Sequence, residues 1–309
     1  MATVMITGGT GMIGQALTKA LLDKQYEIII LTRDPARHKQ STSRLRYVNW
    51  DINKQHIDPA AITQADYIVH LAGANVADKR WTKKRKKEIL DSRVKSGALL
   101  VKALHENVNT IKAVVSASGI GWYGPDSGQR KTGFDEDEPA FSDYLGTTCQ
   151  QWEQSIEPVK QLGKRLVKFR TGVVLSREDG AFPEFTWPLR FGIAPILSTG
   201  KQIISWIHID DLVRLYVTAI EDEKLAGSYN AVAPFPVSNK ELVMTLGKLI
   251  RGRFFIPIHI PSLFLKLYLG EMSIEVLKSA MVSSGKIQEQ GFIFQYPRIH
   301  AALENLVGE

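Results

Sequence analysis

The stretch that decides the fold is residues 1–22, which read MATVMITGGTGMIGQALTKALL. Its first part, TVMITG, has the β-branched and apolar composition of a buried strand. From Met12 to Leu22 the apolar side chains recur at helical spacing, so we expect a helix there. The apolar face of that helix comprises Ile13, Leu17, Ala20 and Leu21.

Four glycines, at positions 8, 9, 11 and 14, occupy the turn and the start of the helix, and three of them have clear roles. Gly8 permits a tight turn, Gly11 leaves space where a diphosphate would approach, and Gly14 lets the helix press against the sheet. Free N–H groups at the positive end of the helix favour an anionic group at this position. Because a strand precedes the glycines and a helix follows them, the pattern predicts a nucleotide site rather than a simple turn.

The segments that follow alternate between strand and helix patterns. Strands are indicated by YEIIILT, LRYVNWD, ADYIVHLAG, IKAVVSAS, RLVKFRTGVVL and GSYNAV. The apolar runs in several of them suit parallel strands, which are covered by helices on both faces. We therefore predict an α/β fold, a Rossmann-type doubly wound parallel sheet with a smaller C-terminal lobe.

The domain boundaries follow from where this alternation stops. We assign residues 1–175 to the sheet domain, with residues 203–233 returning to it, and residues 176–202 and 234–309 to the smaller lobe. In that lobe, Ser238 and Glu241 form a capping box that opens an apolar helix. Two further helices are expected, one at SLFLKLYL and one at residues 274–281.

Composition narrows the class of protein. The single cysteine, Cys149, excludes an internal disulfide framework and suits a reducing compartment. The amino terminus carries no secretion-signal pattern, and no uncharged apolar run reaches about 18 residues. We therefore expect a cytoplasmic protein that does not enter a membrane. No histidine has the spacing of a metal ligand pair, so we predict no metal site.

Much of the net charge of +7 lies in residues 78–96, DKRWTKKRKKEILDSRVKS. One interpretation is a surface for nucleic acid or another acidic ligand. The other is a solvated helix face, with a buried stripe formed by Leu90, Val94, Gly97 and Val101. No RNA- or DNA-binding motif accompanies the charge, so the second interpretation is favoured and no nucleic-acid partner is expected.

The end of the second strand bears on which nucleotide is bound. Dinucleotide sites usually place an acidic residue there, about 20 residues after the glycines, to hold the ribose hydroxyls. Here the strand ends in Thr32 and Arg33 instead. A guanidinium can form charge-assisted hydrogen bonds with a 2′-phosphate, which favours NADP over NAD. In the alternative interpretation Arg33 is merely exposed and Asp34 turns inward.

In their order along the chain, the motifs resemble those of the extended short-chain dehydrogenases/reductases. The glycine turn has their GxxGxxG spacing, and Asp51-Ile52 is similar to their adenine-contacting pair. Leu71-Ala72-Gly73-Ala74 resembles the turn that lines the ribose and nicotinamide. The segments RWT, GWYG, RTGVVL and WIHIDD are most similar to an atypical, epimerase-like branch, and the resemblance spans essentially the whole chain.

The resemblance implies an NADP(H)-binding epimerase or oxidoreductase that transfers hydride to or from a small molecule held against the smaller lobe. The substrate would be anionic or nucleotide-linked, and the protein a monomer or homodimer. The glycine turn, the second strand and the resemblance together give a set of cofactor-binding candidates. They are Gly8, Thr10, Gly11, Met12, Ile13, Gly14, Thr32, Arg33, Asp51, Ile52, Leu71, Ala72, Gly73, Ala74, Arg93, Ser116, Gly172 and Val173.

One departure from the family pattern concerns catalysis. The family uses a Tyr-x-x-x-Lys pair, in which lysine lowers the tyrosine pKa. None of the nine tyrosines here has a lysine four positions later. If Glu153 marks the family's helix glutamate, the tyrosine position falls near Leu145 and the lysine position near Cys149.

Three residues remain as catalytic candidates, each with a structural alternative. Ser118 could orient a substrate oxygen, Tyr144 could act as a general acid, and Tyr123 could line the cleft. Cys149 is favoured as a small buried residue and His208 as part of a packing segment. The sequence therefore leaves two functions open: an NADP-dependent enzyme, or an NADPH-binding sensor or scaffold with little turnover.

Overall fold

The computed structural model describes residues 1–38, 42–126 and 132–308. Its strands, in chain order, are β1 (Thr3–Thr7), β2 (Glu27–Thr32), β3 (Leu45–Asp51), β4 (His56–Ile57), β5 (Tyr67–His70), β6 (Ala113–Gly119), β7 (Arg165–Thr171), β8 (Val173–Leu175), β9 (Ile193–Leu197), β10 (Ile203–Ile204), β11 (Trp206–His208), β12 (Gly227–Ala231), β13 (Val237–Ser238) and β14 (Ile256–Ile260).

The α-helices are α1 (Met12–Asp23), α2 (Pro59–Thr63), α3 (Lys83–Glu106), α4 (Tyr144–Ile156), α5 (Ala181–Leu189), α6 (Ile209–Glu221), α7 (Asn239–Arg251), α8 (Ser262–Leu269), α9 (Ser273–Leu277), α10 (Gly285–Glu289) and α11 (Ile299–Gly308). In the described part of the chain, no helix has both the length and the apolar character needed to cross a bilayer.

The main sheet has eight strands in the order β12-β7-β6-β5-β1-β2-β3-β4. Neighbouring strands run parallel except for β4, which is antiparallel to β3. The chain adds strands on one side of β1 up to β4 and then on the other side from β5 onward. Such a switch point, between β1 and β5, opens a crevice at the carboxyl ends of the strands. The predicted doubly wound α/β fold is confirmed.

Alternate residues of the central strands face opposite helical layers. Val4 and Ile6 of β1 pack in one core together with residues of α1 and α6. Met5, between them, packs in a second core with residues of α2, α3 and α4. Both faces of the sheet are therefore buried, which is why its strands are apolar without alternation.

The carboxyl-terminal part of the chain has a core of its own. Residues of α5, α7 and α11 surround Trp206 of β11 there. The predicted helix start is confirmed, because the Ser238 hydroxyl accepts a hydrogen bond from the N–H of Glu241, which is one half of a capping box. α6 and β12 join the main sheet and its layers, whereas β10 pairs with β13. The exact domain boundary remains a prediction.

Two sequence predictions need correction. The predicted stripe on α3 is wrong in register, because only Gly97 of its four residues is buried. The buried face instead includes Arg85, Ile89, Ser96 and Leu100, since polar side chains on this face bind the neighbouring loop. The helix predicted over residues 274–281 is shorter in the structure. α9 ends at Leu277, and Val282 forms an isolated β-bridge with Phe134. The solvated-face interpretation fits the exposure of Lys83, Lys84 and Lys87.

Candidate functional site

A crevice at the switch point consists of two cavities that share the residues Gly8, Gly11, Leu71, Gly73 and Asn75. We name each cavity after an arginine found in it alone. The Arg33 cavity, about 690 Å³, lies over the ends of β2 and β3. The Arg93 cavity, about 540 Å³, lies between the glycine turn and α4.

The glycine turn is shaped by close approaches of backbone to backbone. Gly8 has φ +69°, and a Cβ there would lie 2.9 Å from the carbonyl carbon of Leu71. A Cβ on Gly14 would lie 2.4 Å from the carbonyl oxygen of Gly8. A Cβ on Gly11 would meet no other residue closer than that same oxygen, at 3.5 Å. Gly8 and Gly14 are thus required by the fold, whereas Gly11 leaves room in the crevice.

The amino end of α1 has the features of an anion site. Gly11 is the N-cap and provides no side-chain acceptor, and the first turn contains no acidic residue. The N–H of Gln15 donates to the carbonyl of Gly11, which is the first hydrogen bond of the helix. The N–H groups of the three residues before Gln15 therefore have no acceptor within the helix. Both cavities reach this helix end.

Most of the predicted cofactor residues line the crevice. Those in the Arg33 cavity are Gly8, Thr10, Gly11, Thr32, Arg33, Asp51, Ile52, Leu71, Ala72, Gly73 and Ala74. Those in the Arg93 cavity include Met12, Ile13, Gly14, Arg93 and Gly172. Ser116 and Val173 do not line either cavity: Ser116 is buried and donates to the carbonyl of Ala117, and Val173 pairs with Trp206 in the parallel β8–β11 ladder.

Arg33 is exposed at the mouth of its cavity. No carboxylate of the described residues lies within ion-pair distance of its guanidinium. Asp34, the alternative ligand, lies with its carboxylate 2.7 Å from Nε of Arg37. Asp51, across the cavity, accepts hydrogen bonds from the N–H groups of Asn53 and Lys54. Of the described cations that line this cavity, Arg33 is therefore the one without an ion pair.

The loop after β5 is held by side chains of α3. Arg93 donates through Nη1 to the carbonyl of Ala74 at 2.9 Å, and the Ala74 N–H donates to Ser92 Oγ at 2.9 Å. Arg85, which is buried, donates to the carbonyl of Asn75 and pairs with Glu88 at 2.8 Å. Sequence reasoning found Arg93 but missed Arg85 and Ser92. The available signal was that Ser92 and Arg93 follow Arg85 by seven and eight residues, a spacing that places them on one face of a helix.

A buried histidine lies directly beneath this loop. Nδ1 of His70 lies 2.7 Å from the Thr7 hydroxyl, and Nε2 lies 3.3 Å from the Ser96 hydroxyl. Burial, followed by the nearby charge of Arg93, lowers the pKa of His70 to about 3. The imidazole is neutral at physiological pH, so it acts through hydrogen bonds. His70 was not predicted as a site residue, because its only distinguishing feature in the sequence is that it is polar within the apolar run YIVHLA.

α4 presents mainly apolar side chains to the Arg93 cavity. Leu145, Cys149 and Trp152 line it together with Thr148. If Glu153 marks the family's helix glutamate, the catalytic tyrosine and lysine positions fall near Leu145 and Cys149. Burial raises the pKa of the Cys149 thiol to about 12, so it is not ionised at neutral pH. These two side chains therefore offer no ionised group to the cavity at neutral pH.

The structure does not bring the Tyr144 hydroxyl to either cavity. This hydroxyl donates to the carbonyl of Lys86 at 3.0 Å, and the ring packs edge-on against Trp81. Burial raises the pKa of Tyr144, which makes it a weaker acid still. The assigned role as general acid remains a prediction without geometric support.

Ser118 lines the Arg93 cavity but is tied to a buried ion cluster. Its hydroxyl donates to Oε1 of Glu153 at 2.9 Å, and the same oxygen lies 2.8 Å from Nε of Arg170. Lys168 approaches the other carboxylate oxygen at 3.2 Å. Burial acts to raise the pKa of Glu153, but Arg170 and Lys168 outweigh it and hold that pKa below its ordinary value.

Tyr123 lies behind the cavity wall rather than in it. Only 1% of its surface is exposed, and its ring stacks on Phe134 at 5.1 Å. Its hydroxyl donates to Oδ1 of Asn230 at 2.7 Å and accepts from Nη1 of Arg170 at 3.1 Å. Burial raises the pKa of Tyr123 to about 12. Tyr123 therefore connects two strands of the sheet, through Asn230 and Arg170, with the loop that contains Phe134.

The WIHIDD segment has the packing contacts expected of it. His208 caps α6 by accepting the N–H of Asp210 at 3.2 Å. The Asp211 carboxylate accepts the N–H groups of Gln295 and Tyr296, each at 2.8 Å. Asp211 therefore holds the backbone of Gln295 and Tyr296 against the amino end of α6.

The strand order, the glycine turn at the switch point and the crevice define a dinucleotide-binding fold of the short-chain dehydrogenase/reductase type. Residues 4–149 match the NAD dependent epimerase/dehydratase family, and residues 260–306 match a domain of unknown function, DUF1731. An epimerase family protein of Staphylococcus saprophyticus is 36% identical over 99% of this chain and 100% of its own length. The chain belongs to this epimerase family, as an atypical, epimerase-like short-chain dehydrogenase/reductase.

Solved structures show the same likeness. The human epimerase family protein SDR39U1 (isoform 2), crystallised with NADPH, is 30% identical, with a TM-score of 0.87 over 99% of both chains. A UDP-N-acetylglucosamine 4-epimerase from Bacillus cereus has a TM-score of 0.76 over 99% of this chain and 96% of its own. At 19% identity, this second likeness concerns the fold alone.

Proposed function

We propose that this protein binds NADP(H) and catalyses hydride transfer to or from a carbon of a small-molecule substrate. The observation that carries the proposal is the single crevice in which the glycine turn, Arg33 and the 71–74 loop converge. Support comes from the human relative crystallised with NADPH, which is 30% identical along almost the whole chain.

The residues of the crevice fit such a cofactor. The space beside Gly11 and the N–H groups of α1 suit the diphosphate. Asp51 and Ile52 would lie against the adenine, and Arg33 against a 2′-phosphate. When bound, the nicotinamide supplies a hydride donor or acceptor. The chain's part is to orient the substrate within the Arg93 cavity and to limit the access of water.

A specific observation favours a second function, an NADPH-binding sensor or scaffold with little turnover. Leu145 and Cys149 present no proton donor of suitable pKa to the Arg93 cavity, and the Ser118 hydroxyl is bound to Glu153. A hydride transfer to a ketone also requires a proton for the oxygen. Turnover therefore distinguishes the two functions.

Calorimetry with NADPH and NADH tests the cofactor assignment. We expect NADPH to bind about 10- to 100-fold more tightly, because one charge-assisted contact contributes about 1.5–3 kcal/mol. Arg33→Ala should remove this preference. Arg46→Ala is the matched control, because Arg46 is an exposed arginine on the adjacent strand that bonds to Gln64. Equal affinities for the two cofactors would overturn the assignment of NADP(H).

Turnover is tested separately, with NADPH and a panel of carbonyl compounds followed at the nicotinamide absorbance. Oxidation that Ser118→Ala abolishes without changing NADPH affinity would support the enzyme. Tight NADPH binding with no oxidation across the panel would support the sensor.

A further inference from the structure

The Arg93 cavity has an unusual balance of side chains. Its walls are mainly apolar, formed by Val76, Ile120, Leu145, Cys149, Trp152 and Val174 among others. Cavities of this kind hold the apolar body of a ligand, and a few polar groups set its orientation. The polar groups available in this cavity therefore indicate the chemistry of the ligand.

The hydroxyl groups around the cavity are already used within the protein. Ser118 donates to Glu153, and Thr148 donates to the carbonyl of Tyr144 at 2.7 Å. Thr171 donates to the carbonyl of Phe169 at 3.3 Å. The protons of these three hydroxyls are therefore engaged, and only their oxygen atoms can accept a hydrogen bond from a ligand.

Two further polar side chains, Asn75 and Asp179, are exposed at the edge of the cavity. Oδ1 of Asn75 accepts the N–H of Ala77, and Oδ1 of Asp179 accepts the N–H of Gly180. Both accept hydrogen bonds within their own loops. In the interior, the described lining side chains with N–H groups that lack a protein acceptor are Arg93 and Trp152, whose Nε1 is buried.

Among the residues that the structure describes, none is a counterion to Arg93 in this apolar setting. Nη1 donates to the carbonyls of Ala74 and Ile89 at 2.9 and 3.0 Å, and the guanidinium lies 4.8 Å from the Trp152 ring centre. Within the described ranges, Nε and Nη2 donate to no protein acceptor, and no carboxylate lies within 4 Å. A mostly buried cation of this kind is costly unless an anion is bound to it.

We propose that Arg93 binds the carboxylate of a substrate whose remaining part is apolar, and that this cavity does not accept a nucleotide sugar. The inference rests on the proposed function, because it concerns the substrate of the same site. Two N–H groups of one guanidinium suit the two oxygens of a carboxylate. A sugar would bury several hydroxyl oxygens that find few donors in this cavity, and each polar group left unpaired costs about 1–3 kcal/mol.

The anion at Arg93 could instead come from the diphosphate of the cofactor. The glycine turn already offers N–H groups for a diphosphate, and the Arg93 guanidinium lies beside Gly73, 4.8 Å from the Trp152 ring centre of α4. The two sources are separated by measuring cofactor and substrate affinity on the same variants.

The test is calorimetry with octanoate, its neutral isostere octanamide and UDP-glucose, each titrated into the NADPH-loaded protein. We expect octanoate to bind at least about tenfold more tightly than octanamide, and UDP-glucose not to bind. Arg93→Met should remove the preference for octanoate, and NADPH affinity should fall less than octanoate affinity, because Arg93 also holds the Ala74 carbonyl. Arg93→Lys should keep part of the preference. Lys102→Met, an exposed change on the same helix, should change neither affinity.

Three results would overturn the proposal: octanamide binding as tightly as octanoate, UDP-glucose binding in place of octanoate, or equal losses of NADPH and octanoate affinity in Arg93→Met. The comparison of ligands on the wild-type chain stands even if the methionine variant does not fold. NADPH affinity is measured first, so failure of the cofactor assignment appears as a loss of that binding and is distinguished from failure at Arg93.

Discussion

The Thr7 hydroxyl and Nδ1 of His70 lie 2.7 Å apart, and both are fully buried. This bond joins the carboxyl ends of β1 and β5, the two strands at the switch point. The Thr7 hydroxyl also accepts the N–H of Ala72 at 3.2 Å, and His70 reaches Ser96 of α3. One hydrogen-bonded chain therefore sets the position of the loop that forms the floor of both cavities.

His70 should make stability depend on pH. Above about pH 6.5 neither the folded nor the unfolded chain binds a proton at this side chain. Below that value the unfolded chain takes up a proton, whereas the folded chain does so only near pH 3. Stability is therefore lost as pH falls from 6.5 towards 3, by about 2 kcal/mol between pH 7 and pH 5. Urea unfolding of the wild type and His70→Gln at both pH values measures this contribution.

The glutamine variant should be less stable at pH 7 but lose less stability on acidification. Other groups that titrate in this range affect both proteins alike, so the difference between them isolates His70. An identical loss in the two proteins would show that His70 is not the titrating group.

Gly11 and Gly14 should have different roles when each is replaced by alanine. Gly14→Ala places a Cβ 2.4 Å from the Gly8 oxygen, and we expect a loss of about 3 kcal/mol of stability. Gly11→Ala meets no close contact, so its cost should stay below about 1 kcal/mol. Its methyl group enters the crevice, so NADPH affinity should fall about tenfold or more. Thermal melting and calorimetry compare the variants, and a Gly11→Ala protein with unchanged affinity contradicts the diphosphate position.

The Cys149 thiol should be unreactive in the folded protein. With a pKa of about 12, its thiolate is rare at pH 8, and alkylation by iodoacetamide should be about 10³-fold slower than for a free cysteine. Mass spectrometry follows the modification, with the protein unfolded in guanidinium as the control. Rapid labelling of the native protein would indicate that Cys149 ionises and would reopen its role as a nucleophile.

Glu153 should contribute far more to stability than its neighbour Glu157, although both lie beside Lys168. The Glu153 side chain is 5% exposed and that of Glu157 is 41% exposed. Glu153→Gln leaves Arg170 and Lys168 without their shared buried anion, at a cost of about 3–5 kcal/mol. Glu157→Gln removes a screened pair, at less than about 1 kcal/mol. Equal changes in unfolding free energy would contradict this assignment of the cluster.

The sequence predicted those features that depend on local chemistry. The strand, the glycine turn and the helix in residues 1–22 are confirmed because each requires particular residue types within a few positions. The apolar runs indicated the parallel sheet for the same reason. The motifs that line the Arg33 cavity were found because strand ends in this fold converge at one edge.

The orientation of long helices was not predictable in this way. The stripe predicted on α3 used the apolar residues alone. In the structure this helix is oriented so that Arg85, Ser92 and Arg93 bind the backbone of Ala74 and Asn75. Apolar periodicity cannot reveal such a face, because polar side chains are buried only when distant backbone groups satisfy them.

The amino-acid sequence by itself determined the doubly wound sheet, the glycine turn and the absence of the Tyr-x-x-x-Lys pair, since each is a matter of residue type and spacing. Only the tertiary structure decided which side chains are free to act. Ser118 is bound to Glu153, Tyr144 to Lys86 and Tyr123 to Asn230, whereas Arg93 keeps N–H groups without a protein acceptor in the described chain. Hydrogen-bond partners from distant segments set that difference, and no local pattern encodes them.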